Sequence, residues 1–194
     1  MATLILVRHG ETDWNRARRW QGHADTTLNE LGRRQATDLA AALAGEPVAA
    51  VYSSDLRRAQ ETAAIVADAH GLEVRVEPRL REINFGEWEG LTTAEIHDRY
   101  PTFVRDWPPD EGKPFPGGET YVAMGARVVA ALEEIGRRHR DETVVVILHG
   151  GPIRGALAHA AGITYAEQRQ RRGHVANCDV LRIAIRDDTF TPLD

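Results

Sequence analysis

Short apolar runs alternate along the chain with longer amphipathic segments. Four of the runs have the length of buried strands: Thr3–Val7, Ala49–Tyr52, Leu72–Val76 and Thr143–Leu148. The first and the last of them are rich in β-branched residues. Between and after them, apolar residues recur at helical spacing. The helices that this spacing predicts are Leu28–Ala44, Leu56–Ala69, Thr93–Tyr100, Glu119–Arg140 and one opened by Pro152.

This order of elements predicts the architecture. Strands separated by helices of about ten or more residues pair in parallel through right-handed crossovers. We therefore expect an α/β fold, a three-layer α/β/α sandwich with a mostly parallel central sheet. The tail, Val180–Ile185 and Thr189–Thr191, is typical of a closing pair of edge strands. The 194 residues contain no repeat or linker, so residues 1–194 are expected to form a single domain.

Local sequence signals predict helix boundaries and mark one long segment as irregular. Asn29 and Asp55 are placed to cap the helices that follow them, and Gly71 is placed to end the second of these. Segment 84–118 holds five of the nine prolines, so it is expected to be irregular apart from one short helix. Three of its aromatic residues either pack against the core or cover a cleft, namely Trp88, Phe103 and Trp107. For Trp88, packing is favoured.

Composition excludes several classes of function. The formal charge is −5, from 24 basic and 29 acidic residues, and this mixed balance argues against a nucleic-acid partner. No apolar run is long enough to span a membrane and no signal peptide is visible, so we expect no membrane contact. One cysteine, Cys178, cannot form an internal disulfide, which fits a cytoplasmic location. The exposed edge strand expected in the tail is compatible with a homodimer.

Side chains that could bind a ligand or act in catalysis come just after three of the predicted strands. His9 comes directly after the first strand, with Arg8 before it, and His149 follows the last strong strand. Arg57 and Arg58 open the helix after the second strand. In open α/β sheets, ligands bind outside the carboxyl ends of the strands, so these side chains should converge. A cluster of cations and imidazoles predicts an anion site, and the glycines after both histidines would let the backbone approach that anion closely.

Structural explanations compete with this interpretation. A lone histidine after a strand is more often structural than catalytic, but two at equivalent strand ends, each followed by glycine, reverse that preference. Arginines are poorly placed in a first helical turn, which favours acids. Arg57 and Arg58 therefore indicate a compensating anion, although surface ion pairs with Asp55 or Glu61 would explain them as well.

At this point the sequence resembles a known family. The segment Arg8-His-Gly-Glu-Thr12, with Asn15, is similar to the signature of the histidine phosphatase superfamily, also called phosphoglycerate-mutase-like. Further matching segments follow in the family's order: Leu28-Asn-Glu-Leu-Gly32, Ser53-Ser-Asp-Leu-Arg-Arg-Ala59, Leu80-Arg-Glu82, Gly86-Glu-Trp-Glu-Gly90, Gly117-Gly-Glu-Thr120 and His149-Gly-Gly151. The resemblance spans nearly the whole chain and implies a phosphoglycerate-mutase-like fold.

The resemblance implies roles for individual residues. His9 would be the nucleophile that forms a phosphohistidine, while Arg8, Arg58 and His149 would line the phosphate pocket. Of the adjacent arginines, Arg58 is chosen because the family's pocket arginine directly precedes the alanine of that motif. Glu82 takes the place of the family's proton donor, a general acid and base. Without the family pattern, an ion pair of Glu82 with a neighbouring arginine, Arg79 or Arg81, would be the simpler interpretation.

Further residues would complete the phosphate and substrate site. Asn15 and the backbone N–H of Gly150 are expected to add donors to the phosphate. Gln21 and Gly22 are expected to bind substrate as part of a rim that continues the nucleophile loop with Trp20 and His23. The histidines outside the motifs are expected to be structural or exposed to solvent, and His174, near Asn177, is the one of them whose position needs checking.

The chemistry of the attack adds two expectations. His9 must attack with an unprotonated ring nitrogen, so its other nitrogen should donate to a fixed acceptor, for which the carbonyl of Gly10 is a candidate. His149 would act best if protonated beside a phosphate dianion. Because side chains supply the positive charge, the resemblance implies a site with no metal and no cofactor.

The resemblance therefore implies a phosphatase that hydrolyses a small-molecule phosphate ester. A phosphoglycerate mutase is the alternative, but residues 91–116 are short and carry few basic side chains, which favours hydrolysis. A catalytically silent relative that binds a phospho-ligand is a second alternative. The presence of both His9 and Glu82 argues against it.

Overall fold

The computed structural model describes residues 1–102 and 111–193, which contain one six-stranded sheet. Its strands are β1 (Ala2–Arg8), β2 (Val48–Ser53), β3 (Val74–Val76), β4 (Thr143–Leu148), β5 (Val180–Arg186) and β6 (Thr189–Pro192). The spatial order is β3-β2-β4-β1-β5-β6. The pairs β2–β3, β2–β4 and β1–β4 are parallel. β5 runs antiparallel to β1, and β6 runs antiparallel to β5.

Seven helices flank this sheet in the described ranges: α1 (Asp13–Arg16), α2 (Glu30–Leu43), α3 (Arg57–His70), α4 (Thr93–Arg99), α5 (Tyr121–Arg138), α6 (Gly150–Ala161) and α7 (Tyr165–Arg172). Two of them, α1 and α7, were not predicted because they carry little apolar periodicity. In α7 a capping box of Thr164 and Glu167 starts a helix that is otherwise mostly polar. None of the helices in this part of the chain is long and apolar enough to cross a membrane.

Strand alternation produces two hydrophobic cores, one on each face of the sheet. In β1, Leu4 and Leu6 point to one face, whereas Ile5 and Val7 point to the other. The first face packs against α5 and α6, and the second packs against α2 and α3. The prediction of a three-layer α/β/α sandwich with a mostly parallel sheet is therefore confirmed.

The tail differs in part from the prediction. β5 lies inside the sheet between β1 and β6, so among the described strands only β6 of this pair is at an edge. The reason is visible in the sequence of β5, where consecutive residues Ile183, Ala184 and Ile185 are all buried. A strand that is apolar on both faces is typical of the interior of a sheet.

Of the three residues predicted to start or end a helix, two are confirmed. The side chain of Asn29 accepts from the amide of Gly32 at 2.8 Å, and Gly71 ends α3 with φ 65°. The cap predicted at Asp55 is wrong. Its carboxylate binds the guanidinium of Arg81 through two hydrogen bonds of 2.7 and 2.5 Å, an interaction stronger than a neutral cap. Asp25, from a distant loop, accepts instead from the first amide of α3.

Trp88 is a packing residue, as favoured from the sequence. Its side chain is 1% exposed. The ring stands edge-on to Trp20 at 5.5 Å and to Phe115 at 5.1 Å between centroids. Phe103 and Trp107, the other two aromatic residues that were expected either to pack or to cover a cleft, lie outside the described residues.

Candidate active site

The carboxyl ends of three neighbouring parallel strands bring the site together. β2, β4 and β1 are adjacent in the sheet. His149 directly follows β4 and His9 directly follows β1, while Arg58 lies in the first turn of the helix after β2. As a result, the ring centroids of His9 and His149 lie 5.1 Å apart, although 140 positions separate the two residues. Both rings are buried. The predicted convergence of these strand ends is confirmed.

His9 is held in the form that a nucleophile requires. Its Nδ1 lies 2.7 Å from the carbonyl oxygen of Gly10, which can only accept, so Nδ1 carries the proton and Nε2 keeps a lone pair. Burial and the nearby charges of Arg58 and Arg8 lower the pKa of His9 well below 6.5. Asn177 donates to the carbonyl of His9 at 2.8 Å and fixes the backbone of this turn.

His149 is oriented by a residue that the sequence did not single out. Its Nε2 lies 2.7 Å from the hydroxyl of Ser54, which follows β2. Burial, together with the charge of Arg58, lowers the pKa of His149 well below its usual value. The buried position and the charge of Arg58 oppose the imidazolium that is expected beside a phosphate dianion, and this expectation stays a prediction for the complex with phosphate.

Arg58 is buried behind the histidines, with a side chain that is 1% exposed. It donates from Nη1 to the carbonyl of Ala24 and from Nη2 to the carbonyl of Gly22, both at 2.7 Å. Burial lowers its pKa to about 10, so it remains charged at neutral pH. Its neighbour Arg57 points outward, is 67% exposed and pairs with Asp25 at 3.0 Å. The structure thus places Arg58, and not Arg57, at the site.

Arg8 completes the positive surroundings of His9. Its Nη1 donates to the carbonyl of Val175 at 2.5 Å and lies 3.2 Å from Nε2 of His174. Three buried nitrogens around His9 have no hydrogen-bond partner among the residues described: Arg8 Nε, Arg58 Nε and His149 Nδ1. Buried polar atoms are normally paired. Three unpaired nitrogens around one imidazole form the donor set that an anion such as phosphate would satisfy.

Glu82 reaches this site from the loop after β3. Its carboxylate accepts from the amide of Gly151 at 3.1 Å and from its own neighbour Ile83 at 2.9 Å. Gly151 permits this approach, since a Cβ at that position would collide with the carboxylate. The simpler interpretation, an ion pair of Glu82 with Arg79 or Arg81, is wrong. Those arginines bind other carboxylates, namely Glu77, Glu134 and Asp55.

The two glycines that follow the histidines have different roles. A Cβ on Gly150 would meet nothing nearer than 3.9 Å, and this residue lines the cleft beside the site. A Cβ on Gly10 would instead collide with the backbone of Gly32 at the start of α2. Gly10 therefore allows two backbone segments to pack, while its role in the approach of an anion stays a prediction.

A cleft of about 440 Å³ opens beside these residues. Of the residues predicted for the site, it is lined by Arg8, Asn15, Trp20, Glu82 and Gly150. His174, which was expected to be structural or exposed, lines it as well. Gln21 and Gly22 are not among the lining residues. The side-chain oxygen of Gln21 accepts from Thr12 and Thr26, at 3.0 and 2.6 Å, and the carbonyl of Gly22 accepts from Arg58. Both residues lie behind the site and hold other parts of it.

Arg127, in the middle of α5, fixes the loop that carries Glu82. Its guanidinium donates to the carbonyls of Arg79, Arg81 and Glu82 at 2.7 to 2.8 Å. It also binds both carboxylate oxygens of Glu119, at 2.5 and 3.2 Å. No motif contains Arg127, and sequence reasoning missed it. Glu119, within a segment that resembles the family, was the only available signal.

Replacing Arg127 with methionine should destabilise the protein by about 1.5–3 kcal/mol, because three carbonyls and a largely buried carboxylate lose a charged donor. Arg137→Met is the matched control on the same helix, since Arg137 is 51% exposed and its ion pairs lie at the surface. It should cost less than about 1 kcal/mol. Urea unfolding measures both, and equal costs would contradict the account of this loop.

The depressed pKa values of the two buried histidines predict how stability depends on pH. Below about pH 6.5 the unfolded chain protonates both residues while the folded protein does not, so the free energy of unfolding should fall as pH falls. Each histidine contributes a slope of up to about 1.4 kcal/mol per pH unit. Urea unfolding between about pH 7.5 and 5.5 should show a shallower dependence in His149→Gln. Identical slopes would argue against a neutral, buried His149.

The comparisons with known proteins agree with this geometry. Residues 4–193 match the family model described as histidine phosphatase superfamily (branch 1). This match covers nearly the whole chain, so the protein belongs to the histidine phosphatase superfamily. Among the described residues, no three or more His, Cys, Asp or Glu side chains are grouped as a metal site would require.

Three similar proteins show the range of activities named within the family. Phosphoserine phosphatase 1 of Hydrogenobacter thermophilus is 41% identical over 84% of this chain and 78% of its own length. The structure of a mycobacterial glucosyl-3-phosphoglycerate phosphatase in complex with VO3 superposes with a TM-score of 0.89 at 33% identity, covering 99% of this chain and 97% of the other. A probable phosphoglycerate mutase of Yersinia pestis is 36% identical over 98% of this chain and 88% of its own length. The family and the phosphatases among the relatives support a phosphoric monoester hydrolase.

Proposed function

We propose that this protein is a phosphomonoesterase in which His9 carries the phosphoryl group between a small-molecule ester and water. The observation that carries the proposal is the state of His9. Its Nδ1 is committed to the carbonyl of Gly10, its pKa is depressed, and three unpaired buried nitrogens surround it. An unprotonated imidazole between two buried arginines and a second histidine suits nucleophilic attack on a phosphate.

In the first step, Nε2 of His9 attacks phosphorus and the bond from phosphorus to the ester oxygen breaks. Arg8, Arg58 and His149 hold the non-bridging oxygens as charge develops on them, and Asn15 and the amide of Gly150 add donors. A protonated Glu82 gives its proton to the departing alkoxide, which leaves as an alcohol. The products are the alcohol and a phosphohistidine, with Glu82 as carboxylate.

In the second step, water attacks the phosphohistidine while the carboxylate of Glu82 takes one of its protons. The bond from phosphorus to Nε2 breaks, and inorganic phosphate forms. Glu82 and His9 return to their starting protonation states, so no external acid or base is consumed. This cycle requires no metal and no cofactor, since the arginines supply the positive charge that phosphoryl transfer needs.

The acceptor of the phosphoryl group separates this proposal from its alternative, which the similarity to a probable phosphoglycerate mutase supports. The test incubates the enzyme with 3-phosphoglycerate in EDTA and follows free phosphate and 2-phosphoglycerate together. The proposal expects free phosphate. Formation of 2-phosphoglycerate without phosphate would establish a mutase. Binding of phosphate without turnover of any ester, p-nitrophenyl phosphate included, would indicate a silent binding relative.

Arg58 should contribute one charge-assisted grip on the phosphate. Arg58→Met keeps most of the side-chain volume but removes this contact, so we expect kcat/KM for p-nitrophenyl phosphate to fall roughly tenfold to a hundredfold or more, corresponding to about 1.5–3 kcal/mol. Arg57→Met is the matched control, because Arg57 points outward. A larger loss in the Arg57 variant, with both proteins folded by circular dichroism, would overturn the choice between the two residues.

The assembly and compartment are part of the same proposal. β6 has a neighbour on one side only among the described strands, and an edge strand of this kind can pair with a second copy. We therefore propose a homodimer. A cytoplasmic location is proposed because the single cysteine, Cys178, cannot form an internal disulfide. Light scattering at micromolar concentration tests the dimer, and a monomeric mass would remove it.

A further inference from the structure

The carbonyl that holds His9 belongs to a peptide group whose N–H is bound as well. The carbonyl of Gly10 accepts from Nδ1 of His9 at 2.7 Å, and the amide of Glu11, in the same peptide group, donates to Oε1 of Gln35 at 2.9 Å. Hydrogen bonds that follow one another through a peptide group polarise each other. A chain of hydrogen bonds therefore runs from the ring of His9 to Gln35, a residue that does not line the cleft.

Two facing glycines bring Gln35 within reach of this peptide group. A Cβ on Gly32 would collide with the carbonyl of Glu11, and a Cβ on Gly10 would collide with the carbonyl of Gly32. As a result, α2 begins in direct backbone contact with the segment that follows His9. Gln35 comes three positions after Gly32 on α2, and residues with this spacing lie on the same face of a helix. The contact of Gln35 with the amide of Glu11 is therefore a consequence of how α2 packs.

The direction of this hydrogen bond determines its effect on His9. A backbone amide can only donate, so the side-chain oxygen of Gln35, and not its nitrogen, faces Glu11. An acceptor at the N–H of a peptide group makes the carbonyl of that group a stronger acceptor in turn. A stronger acceptor at Nδ1 increases the electron density of the imidazole, and it stabilises the positive charge that the ring gains when Nε2 attacks phosphorus.

Other hydrogen bonds anchor the same backbone independently of Gln35. The hydroxyl of Thr62, which is fully buried on α3, accepts from the amide of Gly10 at 3.0 Å. On the other side, the amide of Asn29 donates to the carbonyl of Glu11 at 2.9 Å. Removal of the side-chain oxygen of Gln35 should therefore change the polarity of the Gly10 carbonyl while the backbone stays in place.

We infer that Gln35 is a positioning residue for the nucleophile: it polarises the peptide group between Gly10 and Glu11 and so increases the reactivity of His9 without touching the substrate. Ser-His-Asp triads place a carboxylate at Nδ1 of their histidine, where it holds the tautomer and stabilises the imidazolium that forms. Here a peptide carbonyl occupies that place, and Gln35 strengthens it from the far side of the peptide group. This inference rests on the proposed phosphatase function and adds a residue to its machinery.

The test replaces Gln35 with methionine, which keeps the length and helix propensity of the side chain but removes the acceptor. Pre-steady-state release of p-nitrophenol from p-nitrophenyl phosphate, which measures formation of the phosphohistidine, should slow roughly threefold to tenfold, the worth of one neutral hydrogen bond. The dissociation constant of inorganic phosphate should stay within about twofold of the wild type, because Gln35 does not line the cleft.

Gln60→Met is the matched control for this variant. Gln60 is half-buried on the neighbouring helix α3, and its side chain also binds a backbone group, the carbonyl of Asp55 at 3.0 Å. That carbonyl is not hydrogen-bonded to His9, so the rate of p-nitrophenol release should stay within about twofold of the wild type.

Gln35→Glu and proton NMR separate this role from a structural one. The proton on Nδ1 of His9 is buried and hydrogen-bonded, so it should give a downfield resonance that is protected from exchange and is assigned by its loss in His9→Gln. This resonance should move upfield in Gln35→Met. It should move further downfield in Gln35→Glu, since a carboxylate is a stronger acceptor than an amide, and this variant should keep at least about half of the wild-type rate.

Other outcomes overturn the inference in distinguishable ways. A resonance that stays in place in both Gln35 variants would show that Gln35 does not act on His9, whatever the rates are. Equal losses of rate in Gln35→Met and Gln35→Glu, or a weakening of phosphate binding as large as the loss of rate, would leave Gln35 with a structural role only. A loss of the same size in Gln60→Met would assign the effect to the packing of the helices. If the wild type does not hydrolyse p-nitrophenyl phosphate, the proposed function has failed and the inference fails with it.

Discussion

His9→Ala should abolish turnover of every phosphate ester while leaving the fold intact. The proposed reaction passes through a bond between phosphorus and Nε2 of His9, and no neighbouring group can replace that atom. We expect kcat to fall on the order of 10⁴-fold or more, the scale on which the loss of a nucleophile acts in other enzymes. Steady-state assays with p-nitrophenyl phosphate measure the loss, and circular dichroism with urea unfolding confirms that the variant is folded.

The matched control for this variant is His97→Ala. His97 is exposed on α4 and has no part in the cleft, so its replacement should leave activity within about twofold of the wild type. If the His9 variant retained a tenth or more of the wild-type activity while folded, nucleophilic catalysis by this residue would be refuted. The arginines would then be acting on a directly attacking water.

Glu82→Gln should separate substrates by their leaving group. An alkoxide leaves poorly without a proton, so hydrolysis of an alkyl ester such as glycerol 3-phosphate should slow roughly 10²- to 10⁴-fold. A p-nitrophenolate leaves without help, so formation of the phosphohistidine from p-nitrophenyl phosphate should slow less than about tenfold. Because glutamine keeps the shape of the side chain, the amide of Gly151 retains an acceptor. Pre-steady-state release of p-nitrophenol isolates this first step.

Glu73→Gln is the control for a lost carboxylate, since Glu73 is exposed and remote from the cleft. It should leave both substrates unaffected. Equal losses on the two substrates in the Glu82 variant would remove its role as an acid. Such a result would leave Glu82 as an anchor for the helix that begins at Gly150.

Much of the site could be predicted because its residues follow from strand order. His9 and His149 come directly after apolar runs whose length and β-branched composition define strands without ambiguity. Once the strands are parallel, their carboxyl ends must meet. Ser54 likewise comes directly after a predicted strand, so its position could be predicted. Its contact with His149 could not, because that contact depends on side-chain geometry.

The features that the sequence did not predict are hydrogen bonds between residues that lie far apart in the sequence. Asp55 has a suitable position to cap α3, but its partner Arg81 lies 26 residues further along and binds it more strongly. Arg127 interacts with carbonyls of a loop about 45 residues earlier in the chain, and backbone carbonyls leave no mark in a sequence. Gln21 and Gly22 are near the site, but the direction of their polar atoms is set by Thr12 and Arg58.

The protonation of His149 illustrates the same limit. Sequence reasoning considered the phosphate and expected an imidazolium. The structure adds the complete burial of the ring, which together with the charge of Arg58 lowers the pKa of His149. Burial and Arg58 oppose a charge on His149, whereas Arg8 and Arg58 carry the permanent charge of the pocket.

The central claim of this account is that a phosphoryl group becomes attached to His9 during turnover. Rapid acid-free quenching of the enzyme with a ³²P-labelled ester, followed by peptide mapping, tests it directly. We predict label on His9 that is stable in base and lost in mild acid, as a bond from phosphorus to nitrogen requires, and no label in His9→Ala. Turnover without any protein-bound label under single-turnover conditions, or label on a different residue, would contradict the account.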